Sequence, residues 1–275
     1  MKNKFKIVYP LLGIILLFIG CTPDKYQLGA LADKSTLKYT VAPSSANPND
    51  IVLTSSNSNV TPVWLTPSGV SEKFKDTVNI PFPGTYKIVY GIEAQGGFVS
   101  DSATVIVATL DQKTVSTPMW VYLSGGLGKS KTWVLDLDAN GVSKYFSCSF
   151  YFGGTGWEWD PAFKDIGWSG VSAGNYGTMT FDLIGNANFK STNLMFPDLS
   201  GTGKFMVYPA TNQFATFGAQ ILHDKAEGNN VKNWFAKMTV KTLDADHMQL
   251  ICITAADGSA WLIYNYISLD YYNTH

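Results

Sequence analysis

At 275 residues the chain has room for one large domain or two modest ones, each with a real core. Charged residues are only 15% against 14% aromatic, and there are 25 glycines, which argues against a long-helix protein and for an all-β chain outside the cytoplasm. All 20 basic residues are lysine, so the bidentate arginine fork that reads phosphate and guanine is missing, and no nucleic-acid partner is expected.

Residues 1–21 read as a targeting segment. Lys2, Lys4 and Lys6 form a charged start and 7–19 an apolar run, which is short for a membrane span. Phe18-Ile19-Gly20-Cys21 is similar to a bacterial lipobox, a resemblance that implies cleavage before Cys21 and a diacylglycerol on its sulfur. Loss of the leader leaves a mildly acidic chain, which argues against a polyanionic partner. Residues 22–35 carry few large apolar side chains and read as a tether.

From 36 to 110 short β-like runs alternate with turns, with strands expected near 37–41, 51–54, 63–66, 75–80, 85–92 and 102–108. Trp64 sits mid-strand and is expected in the core. Pro83-Gly84-Thr85-Tyr86 and the later Gly96-Gly97-Phe98 turn resemble the PKD-type immunoglobulin-like domain. That resemblance implies a β-sandwich acting as a spacer. The family's aspartate-rich turn before this strand is missing, so calcium is not implied there. Residues 111–118 read as a polar hinge.

Residues 119–275 are strand-rich again, with runs near 132–138, 143–152, 177–183, 189–193, 203–208, 214–217, 237–241, 248–255 and 261–267. Their number and punctuation predict a larger β-sandwich or jelly roll, with 222–235 the one stretch able to host a helical turn. Trp133, within a strand, is expected in the core. Cys148 and Cys252 lie in strand-like runs and read as separate buried thiols more readily than as a disulfide.

The densest aromatic stretch is Gly153-Gly154-Thr155-Gly156-Trp157-Glu158-Trp159-Asp160-Pro161, followed by Trp168. Its glycines and proline break ordinary strands and helices, so it is expected as a loop. Indoles held on a loop stack on the C–H face of a pyranose while neighbouring acids bond its hydroxyls. The candidate ligand-binding residues are therefore Trp157, Glu158, Trp159, Asp160 and Trp168. The same rings could instead plug one end of the sandwich.

Other motifs carry less. Asp136-Leu137-Asp138-Ala139-Asn140-Gly141 opens like a calcium loop, but Ser147 stands where the bidentate glutamate belongs, and the letters read more readily as a hairpin. No cofactor is expected; a structural calcium is compatible with the sandwich. Ser124-Gly125-Gly126-Leu127-Gly128-Lys129-Ser130 lacks the first glycine of a phosphate loop and reads as a turn. Glycoside hydrolysis needs two placed carboxylates. Among only four glutamates, Glu158 with Asp160 is the pair that could be assembled. His223, His247 and His275 form no catalytic or metal grouping.

Lipobox, PKD-like module and tryptophan-rich β-domain together resemble the surface glycan-binding lipoproteins of Bacteroidetes polysaccharide-utilisation systems. The resemblance implies a non-catalytic protein, lipid-anchored through Cys21 at the outer membrane or cell surface. It would hold a polysaccharide for a neighbouring outer-membrane transporter. A glycoside hydrolase and a structural or protein-interaction lipoprotein are the alternatives.

Overall fold

The computed structural model describes Gly29 and residues 33–94, 96–234 and 237–275. The leader, Cys21 and most of the tether lie outside the described residues. The chain is all-β, built of antiparallel sheets, and among the described residues no helix is long and apolar enough to cross a membrane.

The first unit is a sandwich. One sheet holds β1 (Tyr39–Pro43), β2 (Asp50–Ser55) and β5 (Lys75–Asn79). The other holds β3 (Thr61–Thr66), β4 (Gly69–Ser71), β6 (Gly84–Ala94) and β7 (Gly97–Val107). Alternation along the strands decides what turns inward. Ile51 and Leu53 of β2, Trp64 of β3, and Ile88 and Tyr90 of β6 are all fully buried. The Trp64 ring lies 4.4 Å from that of Tyr90, and its Nε1 donates to the Lys73 carbonyl at 3.0 Å, so its polar edge is satisfied in the core. Gly84 earns its place by close approach. A Cβ there would stand 3.2 Å from the Tyr86 ring, whose hydroxyl reaches back to the Phe82 carbonyl at 2.9 Å.

Where the sequence suggests a hinge, the chain makes two short helices, α1 (Gln112–Val115) and α2 (Pro118–Ser124). Neither is long enough to display a helical period. Pro118 opens α2 and Gly125, at φ 82°, caps it. The segment is fastened at both ends. The Asp111 carboxylate caps α1 by accepting from the Thr114 amide (3.1 Å), and also accepts from Asn47 (3.1 Å) and Asn79 (3.0 Å) of the sandwich. Val115 and Trp120 sink into the second core, where Trp120 meets Phe82 and Phe205 at ring distances of 6.1 and 5.3 Å.

In the second unit the expected sandwich takes the form of one sheet curled until its edges meet. Strands β11 (Gly177–Asp182), β12 (Asn188–Asn193), β13 (Gly201–Tyr208), β14 (Gln213–Phe217), β15 (Met238–Leu243), β16 (His247–Ile253) and β17 (Ala260–Ser268) are neighbours in chain order. The ring closes through β8 (Ser130–Leu135), which borders β11 on one side and β17 on the other. Its interior is a packed core in which Trp133, Met179, Phe181, Phe214, Leu250 and Tyr266 are buried. Trp133 is thus a core residue, as its strand position predicts. Cys148 and Cys252 are both buried and free. A last helix, α3 (Leu269–Thr274), carries Tyr271 and Tyr272 beyond the final strand.

β17 has two partners end to end on one edge. Tyr266 to Ser268 pair with β8, whereas Ala260 to Tyr264 pair with β9 (Phe150–Gly154). Asn265 sits at the changeover, fully buried. Its N–H donates to the Ser149 carbonyl (2.7 Å), its carbonyl accepts from the Asp136 amide (3.0 Å), and its side chain donates to the Cys148 carbonyl (2.8 Å).

The strand expected over 143–152 is therefore regular only from Phe150. Residues 136–149 instead wrap the buried Asp136 carboxylate, which accepts from the amides of Lys144 (2.7 Å), Tyr145 (3.0 Å) and Phe146 (2.6 Å). Asp138 accepts from the amides of Asn140 and Val142, closing the turn at Gly141. Both carboxylates of the calcium-like motif are thus engaged by backbone amides. The hairpin alternative does not form either: β8 pairs with β11 and β17 and has no ladder with β9, so Asn140-Gly141 closes a local turn and not a strand pair.

The linker lends itself to an acid test. Burial works against the Asp111 charge, but hydrogen bonds from Asn79, Asn47 and Thr114 outweigh it and hold the carboxyl at about 2. A depressed carboxyl stabilises the fold above its unfolded value and loses that contribution as pH falls through the folded one. Thermal melts between pH 7 and 2 should show an acid loss in the pH 4 to 2 window. The Asp111→Asn chain should start less stable at pH 7 and show a shallower acid limb.

Candidate ligand-binding face

Beyond the ring's seam, β9 continues into a hairpin with β10 (Trp157–Trp159). The expected loop is thus partly strand, and its glycines have a different purpose from breaking structure. Thr155 and Gly156 make the two-residue turn, with Gly156 at φ 80°. Gly153 and Gly154 lie within β9, where indoles cover bare backbone. A Cβ on Gly154 would fall 2.3 Å from Nε1 of Trp157, and one on Gly153 would fall 2.2 Å from Nε1 of Trp261. No other residue leaves that space.

Strand alternation then sorts the candidates. Trp157 and Trp159, two residues apart, share a face with Phe152, which lies directly opposite Trp159. Trp168 joins them from the 3₁₀ helix Phe163–Ser169. The rings of Trp159 and Trp168 are nearly parallel, at 12° and 6.4 Å, and Phe152 lies 5.6 Å from the first and 5.1 Å from the second. Trp157, Trp159 and Trp168 are 53%, 42% and 64% exposed, so they do not plug the barrel. Below them Phe152 packs on Phe150 (5.3 Å), and Phe150 on Tyr264 (5.9 Å), so the exposed rings rest on the core.

Glu158 points the other way. On the opposite face it pairs with Lys241 of β15, and it does not join the acids that could bond a ligand lying on the indoles. Asp160 follows at the strand's end, exposed, with its carbonyl 3.5 Å from the Ser147 hydroxyl. The polar groups beside the rings come instead from residues far away in sequence. A cleft of about 320 Å³ runs between Phe152, Trp157 and Leu262 on one wall and Glu227, Asn230 and Lys232 on the other. Glu227 and Asn230 are hydrogen-bonded to each other at 3.1 Å. Sequence reasoning missed Phe152, taken as strand, and these three. The only available signal was a Gly/Asn-rich stretch inside 222–235.

That second wall is held by a buried polar cluster. Asp224 accepts from the Tyr264 hydroxyl (2.8 Å) and from the amide of Glu227 (2.8 Å), and Asn193 donates to the His223 carbonyl (2.7 Å). His223 stacks on Trp234 at 4.2 Å and touches the Asp224 carbonyl. Burial pulls its imidazole below the usual 6.5, against the pull of Asp224.

Among the described residues no group of three or more His, Cys, Asp or Glu side chains is placed to hold a metal. The arrangement offers flat apolar rings with a polar edge. The chain matches no protein-family model and no curated protein.

Two outcomes follow from the support of this face. Replacing Asp136 by Asn turns one of its two acceptor oxygens into an NH2 donor facing amides that have no other partner, and should cost about 2–3 kcal/mol in a denaturant titration. For His223, whose folded value lies below the unfolded 6.5, the folded state binds fewer protons, so stability is full above pH 6.5 and declines beneath it. Hydrogen exchange over residues 218–234 should accelerate on that decline, and His223→Gln should flatten the dependence.

Proposed function

We propose that the chain is a non-catalytic carbohydrate-binding protein whose ligand, a polysaccharide, lies across Trp157, Trp159 and Trp168. The observation that carries this reading is the near-parallel, half-exposed indole pair, with a third indole on the same strand face and Phe152 anchoring the group to the core. Monomeric proteins rarely leave so much aromatic surface in contact with water without a use for it. Sugar C–H faces stack on such rings, and Glu227, Asn230 and Lys232 supply donors and acceptors at the rim.

Glu158 is engaged by Lys241 on the far face, which favours binding over hydrolysis by a Glu158/Asp160 pair. The lipobox-like Cys21, by its resemblance, would anchor the protein at the outer membrane or cell surface. The first sandwich, PKD-like in its Pro83-Gly84-Thr85-Tyr86 strand start, would serve as the spacer. An outer-membrane transporter is the natural neighbour in such a system.

Affinity electrophoresis through gels carrying a panel of polysaccharides tests the reading. One glycan should retard the chain, and Trp159→Ala or Trp168→Ala should each weaken retardation about tenfold, the scale of one lost stacking contact. Lack of retardation across the panel, with a protein bound through the same tryptophans, would replace the glycan by a protein partner. Shortened glycan products would make the chain a hydrolase.

A further inference from the structure

The tryptophan face has a step in it. Trp159, Phe152 and Leu262 lie directly opposite one another on three adjacent strands, β10, β9 and β17. Standing in one cross-strand row, they share a face of the sheet. Exposure falls along the row, from 42% at Trp159 through a half-buried Phe152 to 2% at Leu262. The surface therefore drops from the indoles toward the barrel core, and the cleft of about 320 Å³ occupies the drop. Phe152 belongs to both levels, 5.1 Å from the Trp168 ring on one side and lining the cleft on the other.

The two levels differ in chemistry. Above, the rings of Trp159 and Trp168 keep one orientation to within 12°, and Glu158 is turned to the far face. A ligand lying there meets stacking surface and little that reads its hydroxyls. In the cleft, an apolar wall of Phe152 and Trp157 faces a polar wall of Glu227, Asn230 and Lys232. Glutamate accepts, lysine donates and asparagine does both, which is what a sugar edge with several hydroxyls requires. Asn230 already donates to Glu227 at 3.1 Å, so the polar wall is set before a ligand arrives.

Size decides how much polymer enters. A volume of about 320 Å³ stands at the foot of the range for small-ligand sites, roughly 300–1,000 Å³. It takes a short unit and not a run of chain. A unit held there lies below the level at which a backbone rests on the indoles, so a backbone that stays on the rings reaches the cleft only through a substituent. Resting on the glycan-binding proposal above, we infer that the polysaccharide is a branched one. Its backbone lies on Trp159 and Trp168, and a side-chain sugar enters the cleft, where Glu227, Asn230 and Lys232 select it.

The test is affinity electrophoresis on matched polymers. Galactomannan, arabinoxylan and xyloglucan are each run beside the same polymer trimmed of its side chains by glycosidases, with mixed-linkage β-glucan and pullulan as unbranched probes. At least one decorated polymer should retard the chain about tenfold more strongly than its trimmed partner, the scale of one or two hydrogen bonds to charged groups. That preference should disappear in the Asn230→Ala/Lys232→Ala chain, whereas Trp168→Ala should weaken both members of the pair alike. Asn230 and Lys232 are exposed, so the double variant is expected to fold. Equal retardation by both members of every pair, or retardation by the unbranched polymers alone, overturns the inference and leaves the glycan-binding proposal standing. A preference that survives the double variant also overturns it, because the cleft is then not its source. No retardation by any polymer removes the glycan-binding proposal and the inference with it.

Discussion

The structure of the larger unit depends on how Asn265 is satisfied. A closed sheet has no free edge, yet β17 must serve β8 along half its length and β9 along the other half. At the changeover neither ladder can pair the backbone of residue 265, and an unpaired buried amide is costly. The chain resolves this by bringing Ser149 and Asp136 to the two backbone groups and Cys148 and Gln249 to the side chain. The Asp136 carboxylate gathers the amides of 144 to 146 and so folds the excursion that returns as β9.

The tryptophan face is a consequence of this seam. Because β9 is displaced from the ring by β8, it runs past the barrel mouth and carries β10 with it. An inward-facing row that is core at Tyr264 and Phe150 becomes half-buried at Phe152 and exposed at Trp159. The two adjacent glycines let one indole lie on each side of the extension. Rigidity at the site therefore comes from the hydrophobic core below it, and its exposure comes from the extension beyond the seam. Preorganised rings lose little freedom on binding.

Much of this was legible in the chain. Alternation located the strands, and it placed Trp64 and Trp133 in cores because their neighbours keep period two. The same alternation, applied to the stretch read as a loop, puts Trp157 and Trp159 on a common face and turns Glu158 away from them. The glycines misled because their conformational freedom was weighed and their lack of volume was not. Residues 143–149 look like strand because Phe146 and Cys148 alternate with the more exposed Tyr145 and Ser147, but the Asp136 carboxylate draws the amides of 144 to 146 to itself and bends the segment. Ring closure, the docked linker and the contribution of Glu227, Asn230 and Lys232 depend on pairings between distant segments, which a local pattern does not encode. Helices of four and seven residues are too short to announce themselves.

The order of the strands along the chain also sets an order of events. The meander from β11 to β16 can zip up neighbour by neighbour as it emerges, through short loops except for residues 218–237 between β14 and β15. β8 cannot join its second partner until β17 arrives, and β17 follows every other strand of the ring. Until then the sheet has two open edges, one on β8 and one on β16, each a template for another chain. Cys252 is then an uncovered thiol as well. Protection of those two edges until β17 arrives, and not the speed of the meander, then sets the yield of closed barrels.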